Sequence, residues 1–237
     1  MSVQLFEKLP WNKNLVLCSP DLEGTGTLVR DTSKSHINCV LSGVAIPTWV
    51  QLASGKWVLN FDGTWAYLQC PAADSVALNF TSEDWTMMAW TKGDAGAASA
   101  DMIMCQGAFN AKGWEFYVFW DTLSVSLRTN QAAAHTGIQT AEGLLVKDVW
   151  QLLGVTRHGA SGQFYINGLP VTTILNGGLT DPVSSAGTKI LYVGCQDGAV
   201  GNFWKGYMGK RRIYSGKALT DAEMMLHFIQ SKGDYGL

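Results

Sequence analysis

Residues 149–173, VWQLLGVTRHGASGQFYINGLPVTT, decide the fold. Trp150 to Arg157 is an apolar run with a β-branched end. His158-Gly159-Ala160-Ser161-Gly162 is a turn of small residues. Gln163 to Ile166 alternates polar and apolar side chains. Asn167-Gly168 then supplies two residues that tolerate positive φ, the requirement of a type I′ hairpin. Leu169 to Thr173 returns alongside. The stretch therefore predicts three antiparallel strands joined by two turns.

Outward from this unit the same grammar repeats. Leu15 to Cys18 reads as a short strand, and Asp21 to Thr27 as a glycine-rich loop. That loop lacks the GxxxxGK spacing of a phosphate-binding loop. Lys56 to Phe61 and Tyr67 to Cys70 flank the turn Asp62-Gly63. Trp85 to Thr91 and Met102 to Gln106 read as buried strands around a small-residue loop. Trp114 to Trp120 carries bulk on both faces, which marks a central strand or a face that binds something. Leu123, Val125 and Leu127 alternate with Ser124, Ser126 and Arg128, so one side meets core and the other water. Asn130 to Glu142 reads as a polar connection. Thr188 to Gly194 and Gly206 to Tyr214 complete the strands. One helix closes the chain: Thr220 and Glu223 form a capping box, and Ala222, Met225, Leu226 and Ile229 share a face at helical spacing. The expected fold is all-β, a two-sheet antiparallel β-sandwich of jelly-roll type with a short C-terminal helix. Residues 1–14 are expected to form an arm, and 15–237 the domain.

Composition narrows the function. The 237 residues are 47% hydrophobic and 15% charged, with ten Trp and 26 Gly and a formal net charge of −2. Phosphate binding needs clustered positive charge, so nucleic acid is not an expected partner. No run approaches ~18 apolar residues, so no membrane span is expected. The five cysteines are odd in number and widely spaced, without a CxxC pair. They read as reduced, buried thiols and not as a zinc site. The N-terminus has no signal-peptide pattern. The chain is expected to be made and assembled in the cytoplasm, with virion association as one destination.

The ordered set of motifs resembles the laminin-G-like, concanavalin A-like jelly-roll domains. The matching pieces are Leu22-Glu23-Gly24-Thr25-Gly26 with Arg30-Asp31, Phe61-Asp62-Gly63 with Tyr67, and Trp85-Thr86 with Ala89-Trp90. Trp150 with Gly154-Val155-Thr156, Tyr165-Ile166-Asn167-Gly168, Gly206 with Arg212-Ile213-Tyr214, and Leu219-Thr220 with Glu223 follow in order. The resemblance implies two curved sheets, one concave face, a closing helix, and Trp90 and Trp150 in the core. It also implies acidic residues, often calcium-binding, where this chain has Gly209, Lys210 and Arg211. Calcium wants several oxygen ligands, so no metal is expected at that place, although Asp21, Glu23, Asp31 and Asp197 remain as oxygen donors.

Catalysis finds little footing. Glycoside hydrolysis needs two carboxylates flanking one bond. The Glu-x-Asp-x-Glu triplet of related hydrolases is absent, Glu83 and Asp84 would point to opposite faces, and Glu115 stands alone among aromatics. His36, His135, His158 and His227 show no metal-ligand spacing. Lys210-Arg211-Arg212 reads as a solvated strand edge. No catalytic residue and no cofactor are expected.

Aromatic residues remain, and sugar rings stack on them. Trp204, with Asn202, reads as the best exposed candidate for glycan binding, followed by Trp114, Tyr117, Trp120 and Trp65. The expected function is a non-catalytic lectin-like binding or structural module, first as a surface or decoration component of a larger assembly such as a virus or phage particle, with polysaccharide or cell-surface glycan as a further ligand; the alternative is a stand-alone carbohydrate-binding protein. In the assembly case Val3, Leu5, Phe6 and Trp11 of the arm would hold a protein partner or a second copy, with Pro10 ending the pairing segment.

Overall fold

The computed structural model describes residues 12–97, 99–176 and 178–237, without the side chains of 175 and 176. The arm residues Val3, Leu5, Phe6 and Trp11 lie outside the described residues. The first strands are β1 (Leu15–Ser19), β2 (Leu28–Val29), β3 (Cys39–Ser42), β4 (Thr48–Gln51), β5 (Trp57–Asp62) and β6 (Tyr67–Cys70). The long middle strands are β7 (Trp85–Gly93), β8 (Ala100–Ala108), β9 (Lys112–Phe119), β10 (Ser124–Gln131), β11 (Ala134–Thr140) and β12 (Gln151–His158). The chain finishes with β13 (Ser161–Ile166), β14 (Leu169–Val171), β15 (Thr173–Asn176), β16 (Leu191–Val193), β17 (Lys205–Ser215) and the helix α1 (Asp221–Ser231).

These strands form two antiparallel sheets. The first has eight strands: β14-β13-β12-β7-β17-β5-β4, with β1 added against β17. The second has nine, in the order β15-β11-β10-β9-β8-β16-β6-β3-β2. The expected hairpin is present, with Asn167 at φ 53° and Gly168 at φ 77° joining β13 to β14. Between the sheets, Trp85, Met87 and Ala89 of β7 and Trp114, Phe116 and Val118 of β9 share one core. Burial of each large apolar side chain among them stabilises the fold by about 1.5–3 kcal/mol.

The far face of the first sheet carries a second apolar cluster that includes Met88, Trp90, Trp150 and Tyr214. Helix α1 covers it. Thr220 caps the helix through its hydroxyl to the Glu223 amide, and Glu223 returns the bond to the Thr220 amide, as expected. The buried face is not the expected one. Met224, His227 and Ser231 point inward, and Ile229 is exposed. A buried imidazole and hydroxyl do not register in a hydrophobic period, which is why the spacing misled.

Residues 130–142 also differ from expectation. They contain β11, a full strand between β10 and β15. Its small residues mask the alternation, and the turn before it uses Ala133 at φ 60°, where a glycine would have been the legible signal.

Candidate functional site

The outer face of the second sheet carries a polar groove. Side chains alternate along a strand, so Trp114, Phe116 and Val118 enter the core while Glu115, Tyr117 and Phe119 face outward. Register then assembles their neighbours. Arg128 lies opposite Glu115, Ser126 opposite Tyr117, and Ser124 opposite Phe119. Across the next pair, Gly137 lies opposite Arg128 and Gln139 opposite Ser126. On the other side Cys105 meets Glu115, and Tyr192 meets Cys105. The groove over β9, β10 and β11 has a volume of about 260 Å³, and Tyr117, Phe119, Arg128, His135, Gly137 and Gln139 line it.

Its floor is an ion pair. The Glu115 side chain is fully buried, and its Oε2 accepts from Arg128 Nη1 at 3.0 Å and from Asn130 Nδ2 at 3.3 Å. Arg128 Nη2 donates to the Tyr117 hydroxyl at 2.7 Å. The guanidinium also lies 4.6 Å from the Phe109 ring centroid and 4.9 Å from that of Tyr117. Cation–π contacts of this kind hold the planar group in one orientation. Burial pushes the Tyr117 phenol up, so it stays a neutral hydroxyl. Burial, and then the Glu115 charge, push the Cys105 thiol up as well, which leaves it a poor nucleophile. His135 bonds Asn110 at 2.6 Å and packs on Phe109, and Gln139 Nε2 donates to Ser124 Oγ at 2.8 Å.

The six residues expected to contact glycan separate into three groups. Trp114, Trp120 and Trp204 are core residues, which corrects the expectation that Trp204 is exposed. Trp114 Nε1 donates to the Leu78 carbonyl at 2.9 Å. Trp120 Nε1 donates to Asp101 Oδ2 at 3.0 Å, and burial pushes that carboxyl up to about 6. The Trp120 indole fits only because residue 93 is glycine: a Cβ there would lie 2.1 Å from its Cζ2. Trp204 packs edge-on against Trp120. Its neighbour Phe203 packs instead against Trp65, with ring centroids 5.7 Å apart. Trp65 is 53% exposed. The Asp62 turn presents it: burial raises the Asp62 carboxyl, but amides of Trp65, Thr64 and Ala66 outweigh that and hold it at about 2. Asn202, at φ 51°, donates to Gln196 Oε1 at 3.1 Å.

Tyr117 alone of the six lines the groove; Trp65, on the Asp62 turn, and Asn202, beside Phe203, lie away from it. Of the other residues around the groove, His135 and Gln139 escaped the sequence reading because β11 was not legible as a strand, and Phe109 because it lies in the turn between β8 and β9. The outward set Ser124, Ser126 and Arg128 was legible, but only as a water-facing side.

The basic cluster is likewise not a solvated edge. Arg211 is buried against Asp21, and Arg212 donates to His227 Nδ1 at 2.7 Å. A guanidinium therefore sits beside Asp21 in the strand where the resemblance implied acidic residues. Asp31 is committed too, accepting from the Cys18, Ser33 and Ile37 amides. Among the described residues, no group of three or more His, Cys, Asp or Glu is placed to hold a metal ion.

Comparison with known proteins agrees with this architecture. The fold is similar to the binding domain of Paraclostridial Mosquitocidal Protein 1, with a TM-score of 0.64 and 14% identity over 91% of this chain and 52% of that one. It is similar to the binding domain of botulinum neurotoxin serotype D, with a TM-score of 0.69 and 12% identity over 93% and 51%. A structure of botulinum neurotoxin type C, whose cell entry depends on two ganglioside molecules, gives 0.66 and 14% over 92% and 52%. The chain spans about half the length of these domains, and at such identities the likeness shows the fold. No curated protein matches the sequence. The family model of the concanavalin A-like lectin/glucanases superfamily (laminin G type) matches residues 62–225 of the 237, and the chain belongs to that superfamily.

Proposed function

We propose that this protein is a non-catalytic binding module that takes a glycan in the groove over β9, β10 and β11. The observation that carries the reading is the Glu115–Arg128–Tyr117 array at its floor. It offers fixed polar groups, with Phe119 lining the groove and Phe109 packed on the guanidinium, next to an opening that Gly137 leaves uncovered. A concave polar patch with aromatic walls is how sugars are held. Ganglioside and sialylated-ligand recognition by similar toxin domains supports a binding role. This chain spans about half of their length. No carboxylate is among the groove's lining residues, and Glu115, buried behind Arg128, is suited by its bond to that guanidinium to orientation. A glycan array followed by calorimetry on the best hit tests the reading. Gln139→Ala and His135→Ala should each weaken that hit with no change in melting temperature; an empty array would end the proposal.

A second reading has its own observation. Val44, Ile46, Trp65 and Val200 are exposed apolar residues, and Trp65 packs on Phe203. Solvated apolar side chains on loops fit a protein contact, as a decoration subunit of a virus or phage particle would need. Val3, Leu5, Phe6 and Trp11 would be the tether to a partner or a second copy. The test is native mass before and after deletion of residues 2–11. The deletion stops short of Asn12, whose Oδ1 accepts from Tyr214. An unchanged mass state would count against this reading.

A further inference from the structure

The charge arrangement of the groove carries a statement about ligand class, which rests on the glycan reading above. Among the residues that line the groove, Arg128 is the one with a fixed charge. Its side chain is 21% exposed, and Glu115 lies directly beneath it with none of its side chain exposed. The cation is thus neutralised from inside the protein. An anion arriving from solvent would meet a dipole, not a net charge. It would also stand close to the buried carboxylate, and like charges in such surroundings repel strongly. A sialic acid or sulfate would lose its hydration without an uncompensated cation in return.

A hydroxyl group faces the opposite balance. A guanidinium has five N–H donors. The bonds to Glu115 and to Tyr117 orient it without using them all. The remaining donors suit a neutral oxygen, and the hydroxyl's own proton has Gln139 Oε1, on the neighbouring strand β11, as an acceptor. Glu115 Oε1 has no hydrogen-bond partner in the structure. Leaving a buried carboxylate oxygen unsatisfied costs stability. That cost is consistent with Glu115 serving Arg128 and not its own solvation.

We infer that the groove selects uncharged saccharides, and that Glu115 is the positioning residue that sets this selectivity by cancelling the charge of Arg128. Removing the negative charge at constant shape should reverse the preference. Glu115→Gln keeps an acceptor for Arg128 but frees its positive charge towards the groove.

The experiment compares matched probes on the full chain at pH 8, above the range in which imidazole ordinarily titrates. Lactose is paired with 3′-sialyllactose, and N-acetyllactosamine with its 6-sulfated form, together with neutral cello- and galacto-oligosaccharides. The expected result is that neutral probes bind at least about tenfold tighter than their acidic counterparts, a gap of ~1.4 kcal/mol, and that Glu115→Gln narrows or inverts the ratio. Arg128→Gln in the Glu115→Gln background removes both charges, and should restore the neutral preference if charge alone decides. Acidic probes that match or beat the neutral ones on the unmodified protein would overturn the inference while leaving the glycan reading intact. An unaltered ratio in a Glu115→Gln protein of normal melting temperature would overturn the role of Glu115. Should Glu115→Gln fail to fold, the wild-type ratio and its salt dependence decide: strengthening of acidic probes at low salt would count against the inference. Binding of none of the probes would remove the glycan reading itself.

Discussion

Tyr235 stacks on Trp90, with ring centroids 4.2 Å apart and planes 20° from parallel. The stack closes the apolar cluster on the outer face of the first sheet, and Trp90 Nε1 donates to Ser231 Oγ at the end of α1. It depends on Gly209, where a Cβ would lie 2.3 Å from the Tyr235 hydroxyl oxygen. Gly209→Ala should therefore push Tyr235 off Trp90. Overpacking typically costs about 1–3 kcal/mol, and a chain of this size loses ~2–4 °C of Tm per kcal/mol. Gly233→Ala is the control, because a Cβ there meets nothing within 4 Å. Thermal melts with near-ultraviolet dichroism check both; equal Tm for the two variants would refute the argument.

Stability should fall on acidification through His227. Burial first, and then the charges of Arg212, Lys210 and Lys217, hold the imidazole down from the ordinary 6.5 to about 3. The folded state then binds fewer protons than the unfolded state between those values, so stability rises with pH across the window and is lost as pH drops. The loss is on the order of a few kcal/mol. Asp101, raised from 3.8 to about 6 by burial, works in the opposite direction within its own window. Urea midpoints between pH 4 and 8 for wild type and His227→Gln isolate the histidine. The variant should show the shallower decline.

No glycoside hydrolysis is expected. The groove's lining residues include no carboxylate, Glu115 is sealed behind Arg128, and a retaining or inverting mechanism needs two acids flanking the scissile bond. Reducing-end release should stay at background on β-glucans and galactans. Release that Glu115→Gln abolishes would show that Glu115 is a catalytic acid after all.

Calcium chelation should leave the melting temperature unchanged. Asp21 is engaged by Arg211 and Asp31 by three backbone amides, so the acidic side chains nearest the strand in question already have donors. A structural ion present at a hundredfold excess over its Kd would contribute ~2.7 kcal/mol. A drop of several degrees with chelator would contradict the assignment.

Much of the fold was written locally. Asn167-Gly168 dictates its hairpin because two adjacent residues must accept positive φ, and both do. The Thr220–Glu223 box marks the helix start because its bonds join residues three apart. Strand alternation placed Glu115 and Tyr117 on one face and Trp114 and Phe116 on the other. What failed needed knowledge of neighbours distant in sequence. Trp204 reads as a surface aromatic, yet Trp120 buries it from 84 residues away along a path that Gly93 opens. Arg211 reads as solvated until Asp21 is found beside it. The groove belongs to this second class. Glu115, Arg128 and Gly137 come from three strands, and only their register sets a buried carboxylate under a guanidinium and leaves an opening beside it. Sequence periodicity determines which way a side chain points; the partner it meets there, and so the charge the site presents, is decided by tertiary pairing.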